Sequence, residues 1–359
     1  MRILIHTSST GSSYVFTVDL AKSLQNLGVQ IFLAVTGVPL NDRQIKELEQ
    51  FDYAFSGYKQ NWIENPWSDM LEARQWLMKI KKQFKPDIVH LNSLTFGTFP
   101  WNIPVVSVIH SCMFDRSKAI YNNKPPRHWE KYKSLAQASL RASDAVIAPS
   151  KSALNSADVI YGPFKSSRVI PPGRCTYTFR SGVKKRYIFT NGKINDDGHD
   201  LKLVLEAAPK IDYPIYIADN QGHMNVKKLP ENVFLIGPLY GEKLCNWMGS
   251  ASLFVLPAKY EPFGYSFVDA ALSKCALIGR DIPSLREIWS DSMNYIKSKD
   301  DLISKVNYLM QNNEEIYLYG QKAYEAALEN YTLIKMTRHF YQLYQRILSH
   351  EHADLEQSF

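Results

Sequence analysis

The chain has 359 residues, enough for two domains with separate cores, and its 45% hydrophobic and 21% charged content excludes disordered and fibrous classes. The net charge of +7 is uneven: residues 1–185 carry 24 Lys and Arg against 13 Asp and Glu, and the remainder carries 18 against 22. The first half therefore favours an anionic neighbour, either an acidic acceptor or an anionic membrane surface, and no motif points to nucleic acid.

The opening MRILIHTSSTGSS holds only a short apolar run, so no signal peptide is expected there. No stretch approaches the roughly 20 apolar residues of a membrane span, and a cytoplasmic location is expected, with a peripheral place on the inner membrane face as the alternative for the basic half. RILIH (2–6) reads as a strand, Tyr14–Leu27 as an amphipathic helix stopped by Gly28, and Val29–Val35 as a second strand. KIKKQFK, Lys79–Lys85, ends a helix that begins near Ser68; it reads as solvated lysines at a helix C-terminus or as a contact for anionic lipid. The runs DIVHL (87–91), PVVSVIH (104–110) and DAVIAPS (144–150) are short and apolar, as in a parallel sheet covered on both faces, and His110 is expected to end its strand. VIPPGRCTYTFRSGVKKR, residues 169–186, is rich in Pro, Gly and basic residues and reads as a linker.

The alternation then restarts with RYIFTNG (186–192), a helix over about Leu201–Ala208, PIYIAD (214–219), NVFLIG (232–237), a helix around Leu244, SLFVLP (252–257) and CALIG (275–279). A second parallel sheet is the simplest account. Ser284 and Glu287 have the S-x-x-E spacing of a capping box. Thr332–Leu348 carries apolar residues at helical spacing and reads as a helix that returns to the first domain, with EHADLEQSF as a frayed tail. Cys112, Cys175, Cys245 and Cys275 form no C-x-x-C pair, which argues against a zinc site or a disulfide framework and leaves them as reduced core thiols.

Between SLFVLP and CALIG lies YEPFGYSFVDAALSK, with Glu261 and Asp269 on either side of a Pro-Phe-Gly turn and the first turns of a helix. Two carboxylates beside a helix N-terminus suit a ligand that carries both hydroxyls and phosphates, the acids taking hydroxyl donors and the amides around Phe263, Gly264 and Tyr265 taking oxygens. A solvated loop acid and a helix-face acid fit this stretch equally well by itself.

The order of these motifs resembles the retaining glycosyltransferases of family four. EPFGYSFVD is similar to that family's E-x7-E motif, with Asp269 in place of the second Glu, and DAVIAPSKSALN, VIPPG, NVFLIGPL and CALIGRDIPSLREIW support the match. TSSTGSSYVFTVDLAKSLQNLG looks like the glycine-rich loop and helix, although Gly11 is followed by Ser12 where a second Gly is usual; HLNSLTFGTFPW and VIHS also fit. The resemblance implies an α/β fold of the GT-B type, two Rossmann-like doubly wound parallel-sheet domains facing a central cleft. Residues 1–175 would form the acceptor-side domain, with a helix over about 335–352 packing back on it, and 176–334 the donor domain. It implies Glu261 and His110 as catalytic residues and donor contacts from Gly11, Ser12, Gly192, Lys193, His199, Phe263, Gly264, Tyr265 and Asp269. Asp269 would meet the nucleotide ribose, and the amides of Phe263 to Tyr265 the sugar or diphosphate.

In TNGKINDDGHDLKL, Lys193 and His199 stand where the family usually brings an Arg and a Lys to the diphosphate, and Asp196, Asp197 and Asp200 raise a cation site as an alternative use of the loop. The implied activity is metal-independent, retaining transfer from a nucleotide-diphosphate sugar to a hydroxyl-bearing acceptor, with no cofactor. A nucleotide-sugar epimerase or phosphorylase, and a non-catalytic nucleotide-sugar-binding protein, are the other readings.

Overall fold

The computed structural model describes residues 1–59, 66–122, 129–219 and 229–356. The first part of the chain forms β1 (Arg2–Ser8), α1 (Ser12–Gln25), β2 (Gln30–Thr36), α2 (Asp42–Leu48), β3 (Asp52–Ser56), α3 (Trp67–Phe84), β4 (Ile88–Leu91) and β5 (Val105–Val108). It continues through α4 (Met113–Tyr121), α5 (Trp129–Ala142), β6 (Ala145–Ala148), α6 (Lys151–Tyr161) and β7 (Ser167–Val169). The second part holds β8 (Lys185–Asn191), α7 (Leu201–Ala207), β9 (Ile215–Ala218), β10 (Val233–Leu235), α8 (Gly241–Ser250), β11 (Ala251–Leu256) and α9 (Tyr265–Leu272). It ends with β12 (Ala276–Arg280), α10 (Pro283–Trp289), β13 (Met293–Ile296), α11 (Lys299–Gln311), α12 (Asn313–Asn330) and α13 (Leu333–Glu356).

The chain divides into two compact units, one containing Met1–Lys118, Asn123–Gly173 and Leu333–Phe359, the other Ala119–Asn122 and Arg174–Thr332. Unit one has a seven-stranded sheet in the order β3-β2-β1-β4-β5-β6-β7, and unit two a six-stranded sheet in the order β10-β9-β8-β11-β12-β13. Every pairing in both sheets is parallel. The expected pair of doubly wound α/β sheets is therefore present. The central strands β4, β5, β6 and β11 are buried at every residue, which is why they read as unbroken apolar runs rather than alternating ones. Unit two has one continuous core, which includes Phe189, Phe254, Phe267, Leu277 and Trp289.

Several local readings need correction. Helix α10 begins at Pro283, whose fixed φ suits the first helical position, so Ser284 already lies inside the helix and forms no cap. The Ser284 hydroxyl instead donates to the Glu261 carbonyl at 2.6 Å. A capping box does form at Ser298, which precedes α11 and exchanges bonds with Asp301. Strand β5 ends at Val108, leaving His110 two residues beyond it. The backbone of α13 stays helical to Glu356 through most of the expected frayed tail; the last three residues lie outside the described ones. Of the four thiols, Cys112 and Cys275 are buried, whereas Cys175 and Cys245 are half-buried.

Helix α13 packs within unit one on α1, where the Phe16 and Phe340 rings meet edge-on at 5.5 Å between centroids. In unit two, α12 lies on β12 and α9 through Gly320: a Cβ there would sit 2.6 Å from the Lys274 carbonyl oxygen. Replacing a mid-helix glycine with alanine ordinarily stabilises by about 0.5–1 kcal/mol. At Gly320 backbone would have to move, so Gly320→Ala is expected to lower stability by roughly 1–3 kcal/mol. Chemical denaturation checks the sign, and a more stable variant would refute the close approach.

Candidate active site

In unit two the strand order reverses between β8 and β11, and the loops leaving their carboxyl ends carry most of the candidates, as ligand-binding loops of open α/β sheets do. Gly192 ends β8 with φ 145°, and a Cβ there would lie 2.7 Å from His199 Nδ1, so only glycine lets the loop fold its histidine back over its own start. Lys193 is exposed, and its carbonyl accepts from the Asp196 amide at 3.0 Å, closing a turn. Asp200 takes a left-handed conformation with φ 53° and accepts from Arg280 Nη2 at 2.6 Å, with Lys259 Nζ at 3.4 Å from its other oxygen. Arg280 also donates to the Pro257 carbonyl, and the Lys259 amide donates to the Gly198 carbonyl at 2.8 Å. Asp200 thus ties the β8–α7 loop, the β11–α9 loop and the end of β12 together.

The three acids of this loop are engaged within the protein. Asp197 pairs with Lys202 at 2.9 Å, and Asp196 accepts from the Gly198 amide at 2.7 Å. Among the described residues no group of three or more His, Cys, Asp or Glu is placed to hold a metal ion.

Glu261 precedes a turn that only glycine completes: Gly264 has φ 90°, and a Cβ on it would meet Phe267 Cδ2 at 2.8 Å and Glu261 Cγ at 3.3 Å. The Glu261 side chain folds over this turn, beside the Phe263 and Gly264 amides, which favour its ionised form. Burial pushes its pKa up to about 7, the two nearby amides oppose that rise, and the Asp196 charge adds to it. The Phe263 ring lies in the core against Tyr331.

Asp269, in the second turn of α9, is 6% exposed and faces Arg174, with 2.7 Å from Nε to Oδ1 and 3.4 Å from Nη2 to Oδ2. The guanidinium also lies 5.9 Å from the centroid of the Tyr265 ring. Arg174, Lys259 and Arg280 were not singled out from sequence. Each is a lone basic residue, and its partner is a distant carboxylate that only the fold brings near.

Unit one has its own switch point, between β1 and β4. Gly11, with φ 79°, turns the chain from β1 into α1, and both it and Ser12 are exposed at the start of that helix. Beyond β5, His110 packs edge-on against Phe16 at 4.8 Å between centroids, and its Nε2 lies 2.6 Å from Asn92 Oδ1, just past β4. Burial lowers the His110 pKa to about 3, with the neighbouring His90 adding to the effect, so the ring is neutral at ordinary pH. The candidates thus form two groups: Gly11, Ser12 and His110 in unit one, the rest in unit two. A separate groove lined by Arg2, Gln25, Gln30, Glu49 and Phe84 lies at the amino ends of the unit-one strands, away from these residues.

Two family models cover most of the chain: Glycosyltransferase Family 4 matches residues 14–176, and Glycosyl transferases group 1 matches residues 180–326. The chain belongs to the family-four, group 1 glycosyltransferases and has the GT-B type of fold. A comparison with curated protein sequences gives no match. Among solved structures, sucrose-phosphate synthase from Thermosynechococcus elongatus superposes with a TM-score of 0.83 at 12% identity, covering 97% of this chain and 99% of that one. A glycosyltransferase from Rickettsia africae gives 0.72 at 17% identity, covering 97% and 98%. HepE of Anabaena, solved with UDP and glucose, gives 0.78 at 12% identity, covering 96% and 100%.

The raised pKa of Glu261 has a defined sign in stability. Its carboxyl binds a proton more tightly folded than unfolded, so folding takes up a proton between pH 4.5 and about 7, and stability falls as pH rises through that window. Glu261→Gln is expected to match the wild type at the acid end and to exceed it above pH 7 by on the order of 3 kcal/mol. Denaturant unfolding of both proteins at pH 5 and pH 8 measures the gap; a gap that does not widen with pH would mean that the carboxyl is solvated.

Proposed function

We propose that this glycosyltransferase moves a sugar from a nucleotide-diphosphate donor to an acceptor hydroxyl with retention of anomeric configuration and without a required metal. The observation that carries the reading is the Glu261 carboxyl, set beside the Phe263 and Gly264 amides on the loop after a switch-point strand. A half-buried acid so placed would orient the donor sugar and, when ionised, stabilise positive charge developing on its ring. The donor class is supported by HepE, solved with UDP-glucose.

In this reading the acceptor attacks from the face that the diphosphate leaves, and the departing phosphate oxygen takes the acceptor proton. Lys193, His199 and helix N-terminal amides would stabilise the phosphates, with Gly11 and Ser12 close to the donor and Asp269 toward the ribose. Metal independence is supported by the engagement of Asp196, Asp197 and Asp200 with an amide, Lys202, Arg280 and Lys259. Neutral His110 would act as a hydrogen-bonding group toward donor and acceptor.

A thermal-shift screen against nucleotides and nucleotide sugars identifies the donor, because a ligand of the folded state raises the midpoint. With that donor, Glu261→Gln is expected to lower kcat by about 100-fold or more while the protein stays folded. Near-normal turnover by the variant would refute the assignment. Donor binding without turnover by the wild type would favour the binding-only reading, and product formed without an acceptor, or with free phosphate, an epimerase or phosphorylase.

The reading extends to a peripheral contact with anionic lipid, supported by the charge of the first half and by the exposed Lys79, Lys82 and Lys85 near the end of α3. Lys81 is not part of that face, since its ammonium donates to the Trp101 carbonyl. Reversing the three exposed charges is expected to weaken salt-sensitive binding to anionic vesicles in a sedimentation assay. Equal retention on neutral vesicles, or none on either, would favour a soluble acceptor.

A further inference from the structure

Unit one contains a hydrogen-bonded chain whose directions follow from chemistry. Asn92 has one amide group and four polar neighbours: the His6 carbonyl and Thr17 Oγ1, each 3.0 Å from its nitrogen, and His110 Nε2 at 2.6 Å and His90 Nε2 at 3.4 Å from its oxygen. The His6 carbonyl only accepts, so the amide NH2 must face it and the amide oxygen must face the two rings. The Thr17 hydroxyl donates to the Ser13 carbonyl at 2.7 Å, which leaves its oxygen to accept from Asn92. Both hydrogens of the NH2 are thereby committed. Asn92 Oδ1 has only lone pairs to offer, so His110 must place its hydrogen on Nε2. The same holds for His90, whose other nitrogen, Nδ1, accepts from the Tyr344 hydroxyl of α13 at 2.6 Å.

We propose that Asn92 is a positioning residue that fixes His110 as the Nε2–H tautomer and so presents the Nδ1 lone pair as an acceptor for a hydroxyl of the bound donor or acceptor. This deepens the reading in which His110 meets the substrates, and rests on it. A ring whose Nε2 hydrogen is held by a short bond donates there and accepts at Nδ1. It therefore selects a hydroxyl as its partner rather than a phosphate oxygen, which would need a donor. The neutral state of the ring agrees with this, because an imidazolium would have a hydrogen on both nitrogens. The geometry also assigns a role to the C-terminal helix: Tyr344, fully buried, holds His90 in the tautomer that shares the Asn92 oxygen.

The test is the tautomer itself, read by long-range proton–nitrogen correlation on the full chain with labelled histidine at pH 7.5, His110 being assigned by the signals lost in His110→Gln. The expected pattern is an unprotonated Nδ1 and a protonated Nε2. A protonated Nδ1, or an averaged pair of shifts, overturns the proposal, and the assigned wild-type spectrum decides even where the Asn92 variant fails to fold. In Asn92→Ala the His110 shifts should move toward the averaged pattern. With the donor found by the screen, kcat should then fall about 10- to 100-fold, the loss seen for partners that fix a histidine's tautomer at metal sites, while donor KM changes by less than about threefold. A change in KM alone would overturn the positioning role. The two readings fail separately: a locked tautomer in a protein that transfers no sugar refutes the transfer mechanism, and an active enzyme with a mixed tautomer refutes the lock.

Discussion

A parallel strand buried on both faces spends its backbone hydrogen bonds on its neighbours, so the chain can meet a ligand only where the strand ends. This constraint governs both units. Each sheet reverses its strand order once, between β1 and β4 in unit one and between β8 and β11 in unit two. At such a point successive connections leave to opposite faces and the carboxyl ends open on a crevice. The conformations needed there are ones a side chain resists: Gly11, Gly192 and Gly264 follow β1, β8 and β11 with φ of 79°, 145° and 90°. At Gly192 and Gly264 the space a Cβ would need is also taken, by His199 and by Phe267 with Glu261.

The acids of unit two show how one loop region keeps its carboxylates distinct. Asp200 and Asp269 are each met by arginine, and both serve to join elements distant in sequence. Removing a cation from a pair as buried as Arg174–Asp269 would leave an uncompensated charge, a cost of about 3–5 kcal/mol, which makes such pairs structural fasteners whatever else they do. Glu261 has two backbone amides rather than a cation beside it, and burial raises its pKa. Amide dipoles orient a carboxyl without cancelling its charge, so Glu261 keeps the capacity to respond to a cationic or hydrogen-bonding ligand. Two acids eight positions apart on one motif are therefore assigned different work by their surroundings.

Sequence reading reached the sheets because both-face burial leaves unbroken apolar runs, as in LFVL and AVIA, and reached the Gly264 turn because Pro-Phe-Gly breaks the pattern between strand and helix. It missed β3, β7 and β13, all at sheet edges; no residue of β3 or β7 is fully buried, and β13 carries Asn294. Edge strands lack a neighbour on one side and do not need an apolar face on every residue. The capping-box reading at Ser284 failed because Pro283 is the stronger local determinant: it starts the helix two residues earlier than a Ser284 cap would and frees Ser284 to hold the Glu261 carbonyl. Arg174 and Asp269 are 95 positions apart, and no local spacing encodes their meeting. The same is true of Asp200 and Arg280. Sequence periodicity reports what an element needs from its own neighbours, whereas charge pairs across loops depend on where the sheet order brings the loops.

The unit-one network joins these two kinds of information. His90 and Asn92 alternate along the end of β4, and His110 follows β5, its immediate neighbour in the sheet, so the pairing of β4 with β5 brings the two histidines to one amide. The third participant, Tyr344, comes from α13, which reaches unit one after the whole of unit two has been traced. The helix is held there by its apolar face, with Phe340 against both Phe16 and His90. Burial by that face also removes water that would otherwise compete for the His90 ring nitrogens. A polar chain packed in the protein is stable only when each donor has an acceptor, and here the His6 carbonyl, which can only accept, sets the direction of every bond that follows. The apolar packing of the C-terminal helix and the hydrogen position on His110 are in this way consequences of one arrangement.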